Sequence, residues 1–518
     1  MKKLWVLALM AVLMVGCSTD EDSVGTPKKS IVILYENDVH CGINGYPKYV
    51  GLRDAIVMAD TSYVGMVSSG DFLQGALAGA YSQGQHIVDI MKEVGYDAIT
   101  LGNHEFDYLT PRMLKLMPQI GVPVVCANFF EYGATTPVYP SYVIKQYGDK
   151  KIAFVGALTP ETMRDEAYAF FDNDQKQLYD LRTNEVYSLV QTATDKARGE
   201  GADYVVVLSH LGEAKSDTGV DSHGLVAATN GIDAVLDGHT HSVIPCEWVA
   251  NKDGKQIPVT QTGTQFANVG KLWISQDGTL HTQLVPSEEI PYTNDRISAI
   301  VDHIKTELDE ATSLPVATTA FDLPAMDDTG DWLVRKMETS LGDLVADAFR
   351  ERGGTIIGLV NGGGLRNNLK AGVINYGHVI SVLPNDNKMC VIEATGAEIQ
   401  NMLNVCTAKC PALDGSFPQV SGLKFTIHTV SHTVTDVVVL NQTTGEYEPI
   451  DAQRKYTLCV TDYYKTGGFY DTLKNCLLKQ TFDDYARSMF ILHLKMMPGG
   501  EVSENYRNPQ GRITIVED

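Results

Sequence analysis

Between Ile31 and Ser275 the chain alternates short β-rich apolar runs with amphipathic stretches. The runs IVILYEN, YVGMVSS, YDAITLG, VPVVCAN, KIAFVGA, YVVVLSH and IDAVLDG concentrate β-branched and aromatic residues over a strand's length and end in turn-forming residues. Stretches such as HIVDIMKEVG lie between several of them and carry apolar residues at helical spacing. This alternation predicts a layered α/β domain over residues 30–290. The charged segment ISAIVDHIKTELDE predicts a linker helix within 291–315. A second pattern then occupies 316–518. ETSLGDLVADAFRER and TGAEIQNML read as helices, and VINYGHVISVLP and RKYTLCVTDYY as β-rich segments, so a smaller α+β domain with its own core is expected.

The N-terminus follows different rules. Lys2 and Lys3 precede an apolar run from Leu4 to Gly16, which is too short for a bilayer core that takes about 20 residues. The run reads as an export signal over residues 1–17, and the small residue Gly16 before Cys17 resembles a bacterial lipobox. A mature chain tethered to the outer membrane through lipidated Cys17 is expected, either at the cell surface or facing the periplasm. Residues 18–29, beginning STDED, form the polar tether.

Composition narrows the function classes. About 500 residues remain after Cys17, more than one core usually holds, which supports two domains. A net charge of −23 argues against a nucleic-acid polymer as partner, and it would repel a small anionic substrate unless local cations reverse the field. The cysteines show no C-x-x-C pair and no regular spacing, so neither a disulfide framework nor a zinc ribbon is signalled. No protein partner is indicated.

The candidate chemistry sits where strands end, because ligands of open α/β sheets gather beyond the carboxyl ends of strands. IVILYEN runs into Asp38 and His40, VGMVSSG into Asp71, AITLG into Asn103 and His104, YVVVLS into His210, and AVLDG into His239 and His241. A single Asp in such a place is an ordinary turn former or cap. Five such ends in one domain are a constellation. Imidazoles, carboxylates and one amide suit zinc, manganese, cobalt or iron better than calcium or magnesium. The ligands exceed what one tetrahedral ion needs, so two divalent ions are expected, roughly 3.5 to 4 Å apart, with Asp71 as the bridging candidate.

At this point the residues resemble the calcineurin-like metallophosphoesterases, and within them the 5'-nucleotidase and UDP-sugar hydrolase family. NDVH, GDFLQG, GNHEFD, SHLG and DGHTH stand in that family's order, and the resemblance continues through ETSLGDL, NGGGLR and the GG after Tyr463. It implies a β-sandwich flanked by helices as the metallophosphoesterase domain and a C-terminal substrate-recognition domain. It also implies that Asp38, His40, Asp71 and His241 hold one ion, and that Asp71, Asn103, His210 and His239 hold the other. His104 and Asp107 would be the catalytic dyad, assisting a metal-activated hydroxide in removing phosphate from a nucleotide. Arg335, Asn361, Arg366, Asn387 and Tyr463 would face the substrate.

Two positions depart from the family pattern. Asn385 stands where a Phe after the Pro is usual, and Phe469 where GGDG has Asp. Base recognition is the function these departures affect: Phe469 and Tyr463 either build a different stacking pair or belong to the core. The same metal centre would also serve a 2',3'-cyclic nucleotide phosphodiesterase with 3'-nucleotidase activity, or a UDP-sugar hydrolase. A surface lipoprotein that captures nucleotides or metals without turnover is the alternative of another class, disfavoured because a binder has no need of His104 and Asp107.

Overall fold

In a computed structural model, the protein is described over residues 29–517, apart from 172–175, 214, 215, 217, 386 and 466–470. The export signal, Cys17 and Phe469 therefore lie outside the described residues. Among the described residues no helix is long and apolar enough to cross a membrane.

The N-terminal domain is built on two sheets packed face to face. The first runs in the order Leu280–Pro286, Asn268–Ile274, Ser30–Glu36, Ser62–Ser68, Ala98–Ile99. The second runs Val243–Ala250, Gln256–Thr262, Ala234–Leu236, Tyr204–His210, Lys150–Leu158, Tyr142–Tyr147. In the first sheet Ser30–Glu36, Ser62–Ser68 and Ala98–Ile99 run parallel, with Leu34 opposite Met66, and in the second the four inner strands do, with Leu208 opposite Leu236.

The strand period explains the layering, because successive side chains point to opposite faces. Ile31, Ile33 and Tyr35 enter the layer between the sheets, where they meet Ile152, Phe154, Val206 and Leu208. Val32 and Leu34 turn outward to helices Tyr46–Ala59, Gln85–Val94 and Thr110–Ile120. Ala153, Val155 and Ala157 do the same on the second sheet, against Val186–Gly199 and Ser222–Ala228. Each fully buried large apolar side chain in these layers contributes about 1.5 to 3 kcal/mol.

Helix Asp295–Thr312 carries the chain onward, capped by Asn294, whose side chain accepts the Ile297 N–H at 3.0 Å. Its face of Ile297, Val301, Ile304 and Leu308 packs on the first domain. The second domain holds a five-stranded sheet ordered Pro418–Ser421, Ile357–Asn361, Lys455–Thr461, Lys388–Thr395, Leu477–Tyr485. Helices Ser340–Gly353 and Gly396–Thr407 contribute to the apolar clusters on its two sides. A second sheet of four strands is closed by Ile513–Val516. Buried Arg512 anchors that last strand through Asp347 at 2.6 Å and through Glu338, which accepts the Arg512 and Ile513 N–H groups.

Three segments differ from the sequence expectation. In VINYGHVISVLP only Gly372–Asn375 is strand, and Tyr376–Val382 is helix. Asn375 caps that helix by accepting the His378 N–H at 2.9 Å, and Gly377, Val379, Ile380 and Val382 are buried, so capping and packing override β-propensity. In RKYTLCVTDYY the strand ends at Thr461 and Asp462–Lys465 is helical. VPVVCAN forms no extended strand because its amides are divided between the two sheets: Val125 N–H donates to Ile99, but Ala127 N–H donates to Gly156.

Candidate metal centre

The ends of the parallel strands in both sheets meet at one edge of the sandwich. Asp38 N–H donates to Gly70 O and His40 N–H to Asp71 O, each at 3.0 Å, which ties the first two strand ends together. Ser69 Oγ donates to Leu236 O at 2.8 Å and so crosses from one sheet to the other. The turns are sharp. Asp38, His40, Asp71, His239 and His241 all have φ between 44° and 84°, a region that costs an L-residue about 1 kcal/mol or more. Such strain persists where surrounding bonds over-determine it, and here it turns five side chains into one space. Gly70 and Gly102 permit the closest approach: a Cβ on Gly70 would lie 2.4 Å from Gly102 N, and one on Gly102 would lie 2.1 Å from Asp71 Oδ1.

All seven sequence-derived ligand residues come together. Asp38, His40, Asp71 and His241 present one donor atom each within 4.8 Å of one another. His40 Nε2 lies 2.9 Å from His241 Nε2, and His241 Nε2 lies 3.4 Å from Asp38 Oδ1. On the other side His210 Nε2 is 3.1 Å from Asp71 Oδ2, and His239 Nδ1 is 3.0 Å from Asn103 Oδ1. Asp71 Oδ2 also stands 3.8 Å from His40 Nε2, so this carboxylate lies between the two groups.

The electrostatics ask for cations. Burial alone would strip the proton from His210, but Asp71 and Asp38 outweigh it and push the imidazole up to about 10. Burial wins at His40, pushing it down to about 4, while Asp71 is held well below the ordinary carboxylate range against its own burial, chiefly by His210.

The donor set fits divalent ions. His210 Nδ1–H donates to Ser69 O at 2.7 Å and His40 Nδ1–H to Gln74 O at 3.2 Å, which turns Nε2 of both rings toward the cluster, where an ion would take the place of a proton. His210 Nε2 is buried and faces Asp71 Oδ2.

His104 and Asp107 stand beside this cluster. His104 N–H donates to Asp71 Oδ1 at 2.8 Å, and its Nδ1–H to Asp107 Oδ1 at 2.9 Å, which directs Nε2 away from the carboxylate. Burial would lower the His104 pKa, but Asp107, Asp71 and Glu166 raise it to about 10, which favours the protonated ring.

The second domain closes over these groups and leaves a cavity of about 330 Å³. One wall holds Asp71, Asn103, His104, Asp107, His239 and His241, and the other holds Arg335, Asn361, Arg366, Asn387 and Tyr463. Arg335 stacks on Trp332 with its guanidinium 4.3 Å from the ring, and burial together with Arg366 pushes it down to about 10. Arg335 Nε and Arg366 Nε are buried without hydrogen-bond partners. Asn361 Nδ2 donates to Gly415 O at 3.2 Å, beside the Gly362–Gly364 turn. Asn385 lines the same cavity, but its Oδ1 accepts from Gln74 Nε2 at 3.1 Å across the domain boundary.

Several supporting residues were not reached from the sequence. Glu105, inside GNHEFD, accepts the N–H groups of Asp71, Phe72, Leu73 and Gly102 at 2.5 to 3.0 Å and so pins the Asp71 turn. Its signal was its place between His104 and Phe106. Glu161 and Glu166 follow the strand Lys150–Leu158, a sixth strand end whose run KIAFVGALTPE shows no ligand-type residue until Glu161.

Comparison with known proteins agrees with this arrangement. The family described as 5'-nucleotidase, C-terminal domain, matches residues 294–474. The family described as Bacterial capsule synthesis protein PGA_cap matches residues 61–259, a span that begins after Asp38 and His40. Among curated proteins, the Trifunctional nucleotide phosphoesterase protein YfkN of Bacillus subtilis is 24% identical over 491 residues, 87% of this chain. The chain spans only 33% of that relative's length. A 5'-nucleotidase of Vibrio parahaemolyticus is 25% identical over 456 residues, covering 80% of this chain and 78% of that protein. In three dimensions the crystal structure of a 5'-nucleotidase precursor from Thermus thermophilus superposes with a TM-score of 0.74 at 24% identity, over 94% of this chain and 100% of that one, a likeness of fold.

Proposed function

We propose, from the premise that this chain belongs to the calcineurin-like 5'-nucleotidase family, that it hydrolyses phosphate from nucleotides at the cavity between its domains. The observation that carries the reading is the pairing of walls. A cation-demanding cluster with His104, held by Asp107, beside it faces two buried guanidiniums that have no bonded partner at Nε among the described residues. A small phosphate ester satisfies both walls at once.

Two divalent ions of the zinc, manganese, cobalt or iron kind would supply Lewis acidity and a nucleophile at neutral pH. Asp38, His40, Asp71 and His241 would hold one, and Asp71, Asn103, His210 and His239 the other. His104, oriented by Asp107, stabilises negative charge on the phosphoryl group and donates a proton toward the departing oxygen. Arg335 and Arg366 bind and orient the anionic ester from the opposite wall. Asn361, Asn387 and Tyr463 contact the nucleoside. In this reading residues 30–290 are the catalytic domain, 291–315 the linker and 316–518 the recognition domain. Export and lipidation at Cys17 belong to the same reading and rest on the N-terminal sequence.

Base recognition is expected to be weak. Asn385 is engaged by Gln74 and offers no ring where the family pattern has a Phe. An aromatic pair adds about 0.5 to 1.5 kcal/mol beyond burial, which corresponds to roughly a twofold to twelvefold effect on affinity. Tyr463→Ala is expected to raise KM for AMP, GMP and UMP by about that factor and to leave a base-free phosphate ester nearly untouched. Asn385→Phe is expected to lower the nucleotide KM. Phosphate release from these substrates, with UDP-glucose and cyclic nucleotides in the same series, is the measurement. Equal efficiency on the base-free ester, with neither substitution mattering, would make the chain a general phosphatase.

A further inference from the structure

We infer that Glu161 is a positioning residue for the second ion of the proposed pair, acting through His239. The inference rests on the two-ion reading above and adds to it a residue on a sixth strand end.

Glu161 is 8% exposed and held rigidly. Its N–H donates to Thr159 Oγ1 at 3.3 Å, and its carbonyl accepts the Arg164 and Asp165 N–H groups at 2.8 and 2.9 Å, which locks it to the start of helix Thr162–Asp165. Both carboxylate oxygens are engaged. Oε1 accepts from Ser216 Oγ at 2.9 Å, and Oε2 lies 2.8 Å from His239 Nε2.

The opposite nitrogen of His239 explains what this contact does. Nδ1 lies 3.0 Å from Asn103 Oδ1, an atom that can only accept. A neutral imidazole has one N–H to give, and a carboxylate takes it in preference to an amide oxygen. With the proton on Nε2, the Nδ1 lone pair and the Asn103 oxygen lone pairs converge with no proton between them. Two convergent lone pairs are a ligand pair for a cation. Glu161 thus selects the tautomer and fixes the ring plane, the role carboxylates play behind metal-bound histidines. The His239 backbone is held independently, because its N–H donates to Asp38 at 3.0 Å. Removing Glu161 therefore frees the ring without freeing the turn.

Loss of such a partner typically lowers metal affinity about 10-fold to 100-fold. In Glu161→Ala one of two ions is expected to bind that much more weakly while the other keeps its wild-type affinity. Glu161→Gln, which keeps an acceptor oxygen without the charge, is expected to fall between the two. Metal analysis after dialysis against graded chelator reads the two affinities, and electron paramagnetic resonance of the Mn(II)-loaded protein reads whether the ions remain an exchange-coupled pair. The full mature chain is used, and melting of the ion-free variants is expected to match wild type. Two ions held at wild-type affinity in Glu161→Ala would overturn the inference, as would equal loss of both ions with a lowered melting temperature. Wild-type protein that never takes up a second ion would instead overturn the two-ion reading itself.

Discussion

Removal of divalent ions is expected to abolish phosphate release, and Asp71→Asn is expected to reproduce that loss in protein never exposed to chelator. Asp71 Oδ2 lies 3.1 Å from His210 Nε2 and 3.8 Å from His40 Nε2, so one carboxylate lies between the two candidate ligand groups. Asn has the same shape and still offers an oxygen to the His104 N–H that Asp71 Oδ1 accepts at 2.8 Å, so the turn keeps its geometry. The charge is removed, and an NH2 group replaces the Oδ2 that faces His210 and His40. An ion acting as Lewis acid supplies several kcal/mol of transition-state stabilisation, and about 4 kcal/mol corresponds to roughly a thousandfold in rate. A fall of that size or larger is expected in both cases, with activity restored by added metal in the chelated wild type but not in the variant. Metal analysis beside a phosphate-release assay decides it. Unchanged turnover by protein shown to be metal-free would end the two-metal mechanism.

Why the seven candidate ligands were legible is a matter of topology. Parallel strands deliver their carboxyl ends to the same edge, so Asp38, His40, Asp71, Asn103, His210, His239 and His241 announce themselves by position after an apolar run. The left-handed backbone at five ligand residues leaves no mark in composition. Supporting groups were less visible, because Glu105 works through four backbone amides and Glu161 through the far nitrogen of His239, and neither contact has a sequence spacing of its own. The fold follows the same division. Runs that alternate between two apolar layers, such as IVILYEN, were strands, whereas VPVVCAN spends its amides on both sheets and never becomes one. In VINYGHVISVLP the Asn375 cap and the burial of Val379, Ile380 and Val382 make an apolar segment a helix, an effect that β-propensity does not register.

Asn385 illustrates a different limit. The sequence identifies the missing ring, but the hydrogen bond from Gln74 depends on how the second domain sits over the first. Gln74 is itself tied to the site, since its carbonyl accepts the His40 Nδ1–H. The position that departs from the family pattern is therefore linked through one residue to a candidate metal ligand.

His104→Ala is expected to keep wild-type metal content and lose turnover by about 100-fold or more, the usual cost of removing one positioned acid or electrostatic group. His104 is separable from the ligands because its Nδ1–H is spent on Asp107 at 2.9 Å and its neighbour Asn103 already faces His239. The carboxylates around it outweigh burial and raise its pKa to about 10, which favours the charged ring that both proposed roles use. Its two proposed roles predict different substrate dependence. If the proton goes to the departing oxygen, the deficit of His104→Ala shrinks on an aryl phosphate, whose phenolate leaves without help, and remains full on a nucleotide, whose alkoxide does not. If His104 acts only on the phosphoryl oxygens, the deficit is the same for both esters. Asp107→Asn is expected to show the same pattern at smaller amplitude, since it disturbs the orientation of the ring and leaves the ring in place. Turnover of AMP and of an aryl phosphate by the metal-replete variants is the measurement, and near-normal rates on both in His104→Ala would remove this residue from the mechanism.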